Sequence, residues 1–322
     1  MIKLTGKFHW LVTGGAGFIG SHLVKELVKQ GQHVKVLDNL SGGRLENLSS
    51  VANKITFIQG DICNFSDVLN SCANVDYVLH HAALISVAES MEKPQETSKI
   101  NVQGTVNVLE AARQCGVKRV VFASSAAVYG TRPELPYRET TEPDCQSPYA
   151  WSKQVGAELC QLYTKAYGVE AVALHYFNVF GPGQNPNSAY AAVIAKFMQL
   201  AAEGKPLGID WDGLQSRDFV NVADVVQANL LAATKAVPGE IYNVASGRTY
   251  TLLELADTIE KVSGKKLARI SRPKRPGDVH ESSADISKIR ALGFSPSVTL
   301  EEGLREMWKI QIAAMKKDCH VA

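Results

Sequence analysis

The stretch SPYAWSK (147–153) sets a phenol, Tyr149, and an ammonium, Lys153, four positions apart at the start of a predicted helix. On a helix, residues i and i+4 share a face. A cation beside a phenol favours the phenolate. A free tyrosine titrates near pH ~10 and is a poor base at neutrality. One whose pKa is lowered can take a proton from a sugar or alcohol hydroxyl. An ordinary amphipathic helix start carries the same spacing, so the chemistry needs support from the rest of the chain.

That support begins at TGGAGFIG (13–20). It follows an apolar run, FHWLVTGG, that reads as a strand, and precedes SHLVKELVKQG, with helical spacing at Leu23, Leu27 and Val28. Gly14 permits a tight turn. Gly17, with Phe18 and Ile19 opening the helix behind it, lets backbone approach a pyrophosphate. Gly20 allows close packing of helix on strand. Asp38 ends the next strand, about twenty residues on, with Asn39 beside it. An acid there binds the adenosine ribose hydroxyls and repels a 2′-phosphate, which favours NAD over NADP. A glycine turn without a ligand is the alternative, and strand, helix and acid in register argue against it.

The elements that must position these groups alternate. Strands are predicted at HVKVLDN, ITFIQGDI, VDYVLHHAA, KRVVFASSAA and VEAVALHYFNVFG. Helices fall at TSKINVQGTVNVLEAARQCG and from about Tyr149 to Tyr167, stopped by Gly168. Near-continuous apolar strands separated by helices predict an α/β fold, a doubly wound parallel sheet of Rossmann type, covered on both faces. The second half is less regular. Helices are expected near 189–203, 252–263 and 300–317 in a smaller mixed α/β C-terminal lobe. The expected division is a dinucleotide-binding domain at 1–176, with a returning segment at roughly 217–245, and a substrate lobe at 177–322. The crevice between them is the default site.

Composition narrows the function classes. The chain has 322 residues, 45% hydrophobic and 20% charged, enough for a large core, and a formal net charge of +2. No strong field points to nucleic acid or membrane, and no apolar run is long enough for a bilayer. The N-terminus runs straight into a strand without a signal peptide's apolar centre. Six scattered cysteines show neither C-x-x-C pairs nor clustered ligands. The expectation is a cytoplasmic protein with reduced thiols and no metal site.

TGGAGFIG, the Y-x-x-x-K at 149–153, and the serines 24 and 25 residues before Tyr149 together resemble the short-chain dehydrogenase/reductase superfamily. The length and C-terminal lobe resemble its extended branch, which acts on nucleotide sugars, and within it the UDP-sugar 4-epimerases. The resemblance covers essentially the whole chain. It implies that Asp61 and Ile62 flank the adenine, that Ala82 and Ala83 pass beneath the dinucleotide, and that Asn101 helps position the active-site strands. It also gives Lys153 a second role on the nicotinamide ribose and sets Tyr176 near the nicotinamide. His80 and His81 are expected to be strand-end residues beside the cofactor rather than a proton relay.

FASSAAVYG (122–130) discriminates within the branch. Nucleotide-sugar dehydratases resemble it but carry an Asp-Glu pair where this chain has Ala126 and Ala127. Alanine does no acid or base chemistry, so the oxidation machinery stands without the groups for an elimination. An epimerase needs that set. The resemblance makes Ser125 the hydroxyl that bonds the sugar O4 and shuttles its proton to Tyr149, with Ser124 a second contact. It places Asn178 and two arginine motifs, SRDFV (Arg217) and RPGD (Arg275), on the diphosphate, and Asp278 on the uridine ribose. Ser282 stands where 4-epimerases restricted to UDP-glucose and UDP-galactose tend to have a tyrosine; a small residue there leaves room for an N-acetyl group. QNPNSAYAAVI (184–194) also resembles the subgroup acting on N-acetylated sugars. The implied activity is NAD-dependent C4 epimerisation with NAD tightly bound, acting on UDP-N-acetylglucosamine and, as a second pair, the unacetylated sugars. A UDP-uronic acid or a nucleotide-sugar oxidoreductase or dehydratase reaction is the alternative. The branch often dimerises through helices near 97–115 and 149–168. The stripe Val155, Leu159, Leu162 and Ala166 is explained equally by internal packing, so the homodimer is implied by the resemblance alone.

Overall fold

The computed structural model describes residues 2–185, 193–274 and 279–318. Its strands are β1 (His9–Thr13), β2 (His33–Asp38), β3 (Ile55–Gln59), β4 (Tyr77–His80), β5 (Arg119–Ser125), β6 (Ala171–Tyr176), β7 (Asn178–Phe180), β8 (Leu207–Asp210), β9 (Ser216–Asn221), β10 (Ile241–Val244), β11 (Thr249–Thr251), β12 (Arg269–Arg272) and β13 (Glu281–Ser282). The helices are α1 (Phe18–Lys29), α2 (Phe65–Cys72), α3 (Val87–Glu92), α4 (Pro94–Ser98), α5 (Gly104–Cys115), α6 (Pro148–Tyr167), α7 (Val193–Glu203), α8 (Val222–Lys235), α9 (Leu252–Ser263), α10 (Ser287–Arg290) and α11 (Leu300–Asp318).

Seven strands form one parallel sheet in the order β10-β6-β5-β4-β1-β2-β3. Successive side chains leave a strand on opposite faces, so each strand feeds two cores. Trp10, Val12, Val36, Val121 and Leu174 face α1 and α8. Leu11, Leu37, Val78, Val120 and Ala173 face α5 and α6. All six residues of β6 are buried, which is why its sequence shows no polar alternation. The chain runs outward from β1 to β3, then returns to place β4 on the other side of β1. Ligands of open α/β sheets lie at such a reversal, outside the strands' carboxyl ends. Here that point holds Gly14 after β1 and His81–Ala83 after β4.

The second lobe is built on β9, flanked by β7, β11 and β13, with β8 and β12 as a separate parallel pair. Helices α7, α9 and α11 close over it through Phe197, Met198, Leu255, Ile259 and Leu304.

Two local features differ from the expectation. The helix expected from Thr97 is interrupted by a π-helical turn at Lys99–Gln103 between α4 and α5. Asn101 lies buried within this turn, and π turns are frequent at functional sites. The stripe on α6 is divided: Leu159 packs against the core and Val155 is half-buried, while Leu162 and Ala166 are exposed, as is Trp151 at the helix start.

The glycine turn is packed backbone on backbone. A Cβ on Gly20 would lie 2.2 Å from the Gly14 carbonyl oxygen, where no side chain can yield. Gly20→Ala should destabilise the protein by about 1–3 kcal/mol, read as a lower melting temperature. Gly42→Ala, with nothing within 4 Å of its Cβ, should melt like the parent. Equal melting of all three proteins would contradict the packing argument.

Candidate active site

Helix α6 begins where Ser147 caps it, its Oγ accepting from the Ala150 N–H at 3.1 Å with Pro148 in the first turn. Further bonds fix that turn and tie it to its neighbours. The Tyr149 N–H donates to Ser90 Oγ at 3.2 Å. Ser152 Oγ donates to the Tyr149 carbonyl at 2.7 Å. Asn101 Nδ2 donates to Ser152 Oγ at 2.9 Å and to the Leu84 carbonyl at 2.9 Å, while its Oδ1 accepts from the Leu84 N–H at 2.8 Å. Asn101 therefore ties the loop after β4 to the turn that carries Tyr149, a link between a loop and a helix rather than between strands.

Lys153 is buried, and its Nζ donates to the Ala123 carbonyl on β5 at 2.7 Å, with the Phe122 and Tyr149 ring centres 5.0 and 5.8 Å away. Ser125, at the end of β5, accepts from the Ala127 N–H through Oγ at 3.2 Å, and its hydroxyl lies close enough to Tyr149 to favour the phenolate. Ser124 points to the other face of the strand. Its Oγ donates to the Lys153 carbonyl at 3.1 Å, so it holds the helix backbone instead of facing a substrate. Ala126 and Ala127 form the 3₁₀ turn that follows, and no acid stands there.

The electrostatics depart from the expected simple lowering of the tyrosine pKa. Burial pushes the Tyr149 hydroxyl above its ordinary value, with the Ser125 bond working in the opposite direction. Burial also brings Lys153 down to about 7. The desolvation that sequence spacing cannot reveal outweighs the attraction between the pair in the chain alone.

The glycine turn, Gly14 at φ +66°, lies against β4's end. A Cβ on Gly14 would meet the Ala82 backbone nitrogen at 2.7 Å. The Ala82 N–H donates to Thr13 Oγ1 at 3.2 Å, and Ala83 follows, half-buried. Gly17 caps α1 without a side-chain acceptor, and the first turn, Phe18 and Ile19 included, carries no acid. Bare N–H groups at a helix start suit an anion. Asp38 is buried, its carboxylate accepting from the Ala16 N–H at 2.9 Å and the Leu40 N–H at 2.8 Å. Asn39 Nδ2 donates to Asp61 Oδ2 at 3.2 Å. Burial works to raise Asp61, but the Cys63 N–H, Asn39 and Lys99 hold it below the ordinary carboxylate range. The Ile62 carbonyl accepts from Asn107 Nδ2 at 2.8 Å. Gly14, Gly17, the bare helix start, Asp38 and Asp61 thus line one continuous rim that fits a dinucleotide.

His80 is clamped between Thr13 Oγ1 at 2.7 Å and Thr105 Oγ1 at 3.1 Å. His81 Nε2 meets the Tyr176 hydroxyl at 3.0 Å, and that hydroxyl donates to Asn229 Oδ1 at 3.0 Å. Burial brings both rings to about 3, so they stay neutral. Thr13, Ser90, Ser152 and Asn229 had no distinguishing signal in the sequence, because their partners lie far along the chain.

In the second lobe, β9 gathers the expected substrate contacts. Asn178 pairs with Phe219, and its Nδ2 donates to the Asp218 carbonyl at 3.2 Å. Ser282 stands opposite Arg217 in the β13–β9 register. Arg217, Asn178, Asp210, Gln215 and Tyr250 line a cavity of about 170 Å³. Gln215, which the sequence did not single out, has a buried Oε1 with no hydrogen-bond partner. Arg275 and Asp278, and most of the 184–194 segment, lie outside the described residues. Among the described residues there is no group of His, Cys, Asp and Glu side chains that could hold a metal ion, and no helix long and apolar enough to cross a membrane.

A family model described as the NAD dependent epimerase/dehydratase family matches residues 10–245. Among curated relatives, a putative UDP-glucose 4-epimerase of Methanocaldococcus jannaschii is 40% identical over 92% of this chain and 96% of its own length. Among solved structures, the UDP-N-acetylglucosamine 4-epimerase of Methanobrevibacter ruminantium, in complex with UDP-N-acetylmuramic acid, superposes with a TM-score of 0.93. It is 38% identical, over 97% of this chain and 100% of that one. The UDP-glucose 4-epimerase of Thermus thermophilus, in complex with NAD, gives 0.85 at 37% identity, over 94% and 98%.

Proposed function

The chain belongs to the NAD-dependent epimerase/dehydratase family, and on that premise we propose that it inverts C4 of a UDP-hexose, with UDP-N-acetylglucosamine and UDP-N-acetylgalactosamine as the preferred pair and UDP-glucose and UDP-galactose as a second. The observation that carries this is the run Ser125-Ala126-Ala127 beside Tyr149 and Lys153: groups for moving one hydroxyl proton, and no acid for eliminating water. NAD is the cofactor, and when bound it accepts and returns the C4 hydride. Gly14, Gly17 and Asp38 hold it, and we take it to stay bound through the cycle.

Ser125 bonds the sugar O4 and passes its proton to Tyr149. Asn101 and Ser152 keep the tyrosine in place while the 4-keto sugar turns about its diphosphate tether. The proton then returns by the same two hydroxyls on the sugar's other face. Arg217 and Asn178 hold the diphosphate, a guanidinium fork suiting two phosphate oxygens, and Arg275 and Asp278 are proposed to join them. Uracil carries one ring N–H, and the unpartnered Gln215 Oε1 suits it. We further propose a homodimer through the α5 and α6 face, where Trp151 and Leu162 are exposed; a monomer mass by light scattering would remove that part.

Two outcomes test the assignment of roles. Burial brings Lys153 to about 7 and raises Tyr149, so in the chain alone it is Lys153 that sheds a proton near neutrality. Turnover should fall as pH drops below about 7 and level off above it. In Lys153→Met the cation that favours the phenolate is gone while burial remains, so the limb moves to higher pH and turnover at neutrality drops by roughly 10²-fold or more. A flat profile in both proteins from mildly acid to mildly alkaline pH would remove the pair from the proton transfer.

The Ser282→Tyr variant addresses the sugar. It should lose the N-acetylated substrate and keep UDP-glucose, measured by product chromatography. Retention of both would reject the gate while leaving the epimerisation intact.

A further inference from the structure

A string of buried hydrogen bonds runs from the glycine turn to the helix start that carries Tyr149, and the direction of each bond follows from its neighbours. Thr105 on α5 donates through Oγ1 to the Asn101 carbonyl at 2.6 Å. With its one proton spent on a carbonyl, that hydroxyl can only accept from His80 Nε2, 3.1 Å away. His80 is therefore protonated at Nε2. Burial first, and the Lys153 charge second, bring this ring to about 3, so it is neutral and its Nδ1 is a bare acceptor. Thr13 Oγ1, 2.7 Å from Nδ1, donates to it. The same oxygen accepts from the His81 and Ala82 N–H groups, both at 3.2 Å.

Both ends of the string lie in the site. The Ala82 nitrogen is the atom that a Cβ on Gly14 would strike, so it forms the floor of the glycine turn. At the other end Asn101 sits inside the π turn. Its Nδ2 donates to Ser152 Oγ at 2.9 Å, and Ser152 donates to the Tyr149 carbonyl at 2.7 Å. Thr13, His80, Asn101 and Thr105 are all buried. A histidine that only filled space there would lose the hydration of two polar atoms, a cost that an apolar ring of similar size avoids. Instead each nitrogen is spent on a different element, Nδ1 on β1 and Nε2 on α5. The ring also packs on Phe122, centroids 5.6 Å apart, and the same Phe122 ring lies 5.0 Å from Lys153 Nζ.

We propose that His80 is a positioning residue for the epimerisation. In its Nε2–H form it registers the glycine turn and the loop after β4 against the π turn, and so fixes the Tyr149 hydroxyl relative to the cofactor. It acts through Thr13, Thr105 and Asn101 and moves no proton itself. The inference rests on the reading of Tyr149 as the group that takes the sugar's proton, and part of its test needs no turnover.

The test uses the full-length protein saturated with NAD. In ¹⁵N-histidine spectra the His80 ring, assigned by its loss in His80→Phe, should show a protonated Nε2 and a bare Nδ1 at every working pH. In His80→Phe, amide exchange should rise by about tenfold or more in the segments 81–84 and 149–153 and stay as in the parent in α9. Turnover should fall by roughly tenfold or more with KM for the UDP-sugar unchanged. His80→Gln keeps one acceptor and one donor on its amide and should restore parent-like exchange and most of the turnover. Thr105→Val, a milder break in the same string, should move both readouts in the same direction as His80→Phe, and it serves if that variant does not fold. Ile259→Val, in the core of the second lobe, controls for lower melting alone and should leave kcat as in the parent. A bare Nε2 in the parent, parent-like exchange in both broken variants, or a His80→Gln no better than His80→Phe would overturn the proposal. Absence of any epimer from the parent would contradict the proposed function instead, and the exchange comparison would still decide this inference.

Discussion

Burying one ammonium group against one carbonyl constrains the rest of the site. Lys153 Nζ reaches the Ala123 oxygen at 2.7 Å and is otherwise surrounded by aromatic faces and helix. An amine buried this way gives up hydration and is brought down to about 7. That cost is tolerable only if the neighbourhood is rigid, and the surroundings supply the rigidity. Ser124 grips the Lys153 carbonyl, Ser147 caps the helix, and Asn101 ties the first turn to the loop after β4. The phenol one turn earlier inherits a fixed position beside Ser125.

The same burial explains why the two titrating groups move in opposite directions from their ordinary values. Desolvation penalises whichever form is charged, so it raises the tyrosine and lowers the lysine. In the chain alone Lys153 therefore sheds its proton near neutrality while Tyr149 keeps its own. A bound positive nicotinamide would add a charge that favours the phenolate. The chain alone therefore holds the tyrosine in reserve, and on the proposed function the cofactor would complete its activation.

Much of this was legible in the sequence, because the signals were local. The apolar runs became six of the seven parallel strands, and α9 spans Leu252–Ser263 as its spacing indicated. Helix α6 ends at Tyr167, with Gly168 in the left-handed region at φ +69°. The glycine turn and Asp38 stood out by their spacing, and Tyr149 and Lys153 by spacing together with the family resemblance. What escaped was set by contacts between distant residues. Asn101 reaches partners 17 and 51 positions away, and the π turn that holds it leaves no mark on periodicity. Strands β7 and β13, three and two residues long, are too short to show alternation. The commitment of Ser124 to a helix carbonyl, the division of the α6 stripe between core and surface and the upward shift of Tyr149 all depend on burial.

The central claim is that bound NAD, Ser125, Tyr149 and Lys153 carry out a closed oxidation and reduction at C4. The most direct test incubates the purified protein, with no cofactor added, with UDP-N-acetylglucosamine and separately with UDP-glucose, following anomeric NMR signals. The account predicts that the C4 epimer of the acetylated sugar appears until equilibrium, without net absorbance from reduced nicotinamide. Accumulation of a 4-keto product with stoichiometric reduced cofactor, or no epimer of either sugar even after NAD is supplied, would contradict it.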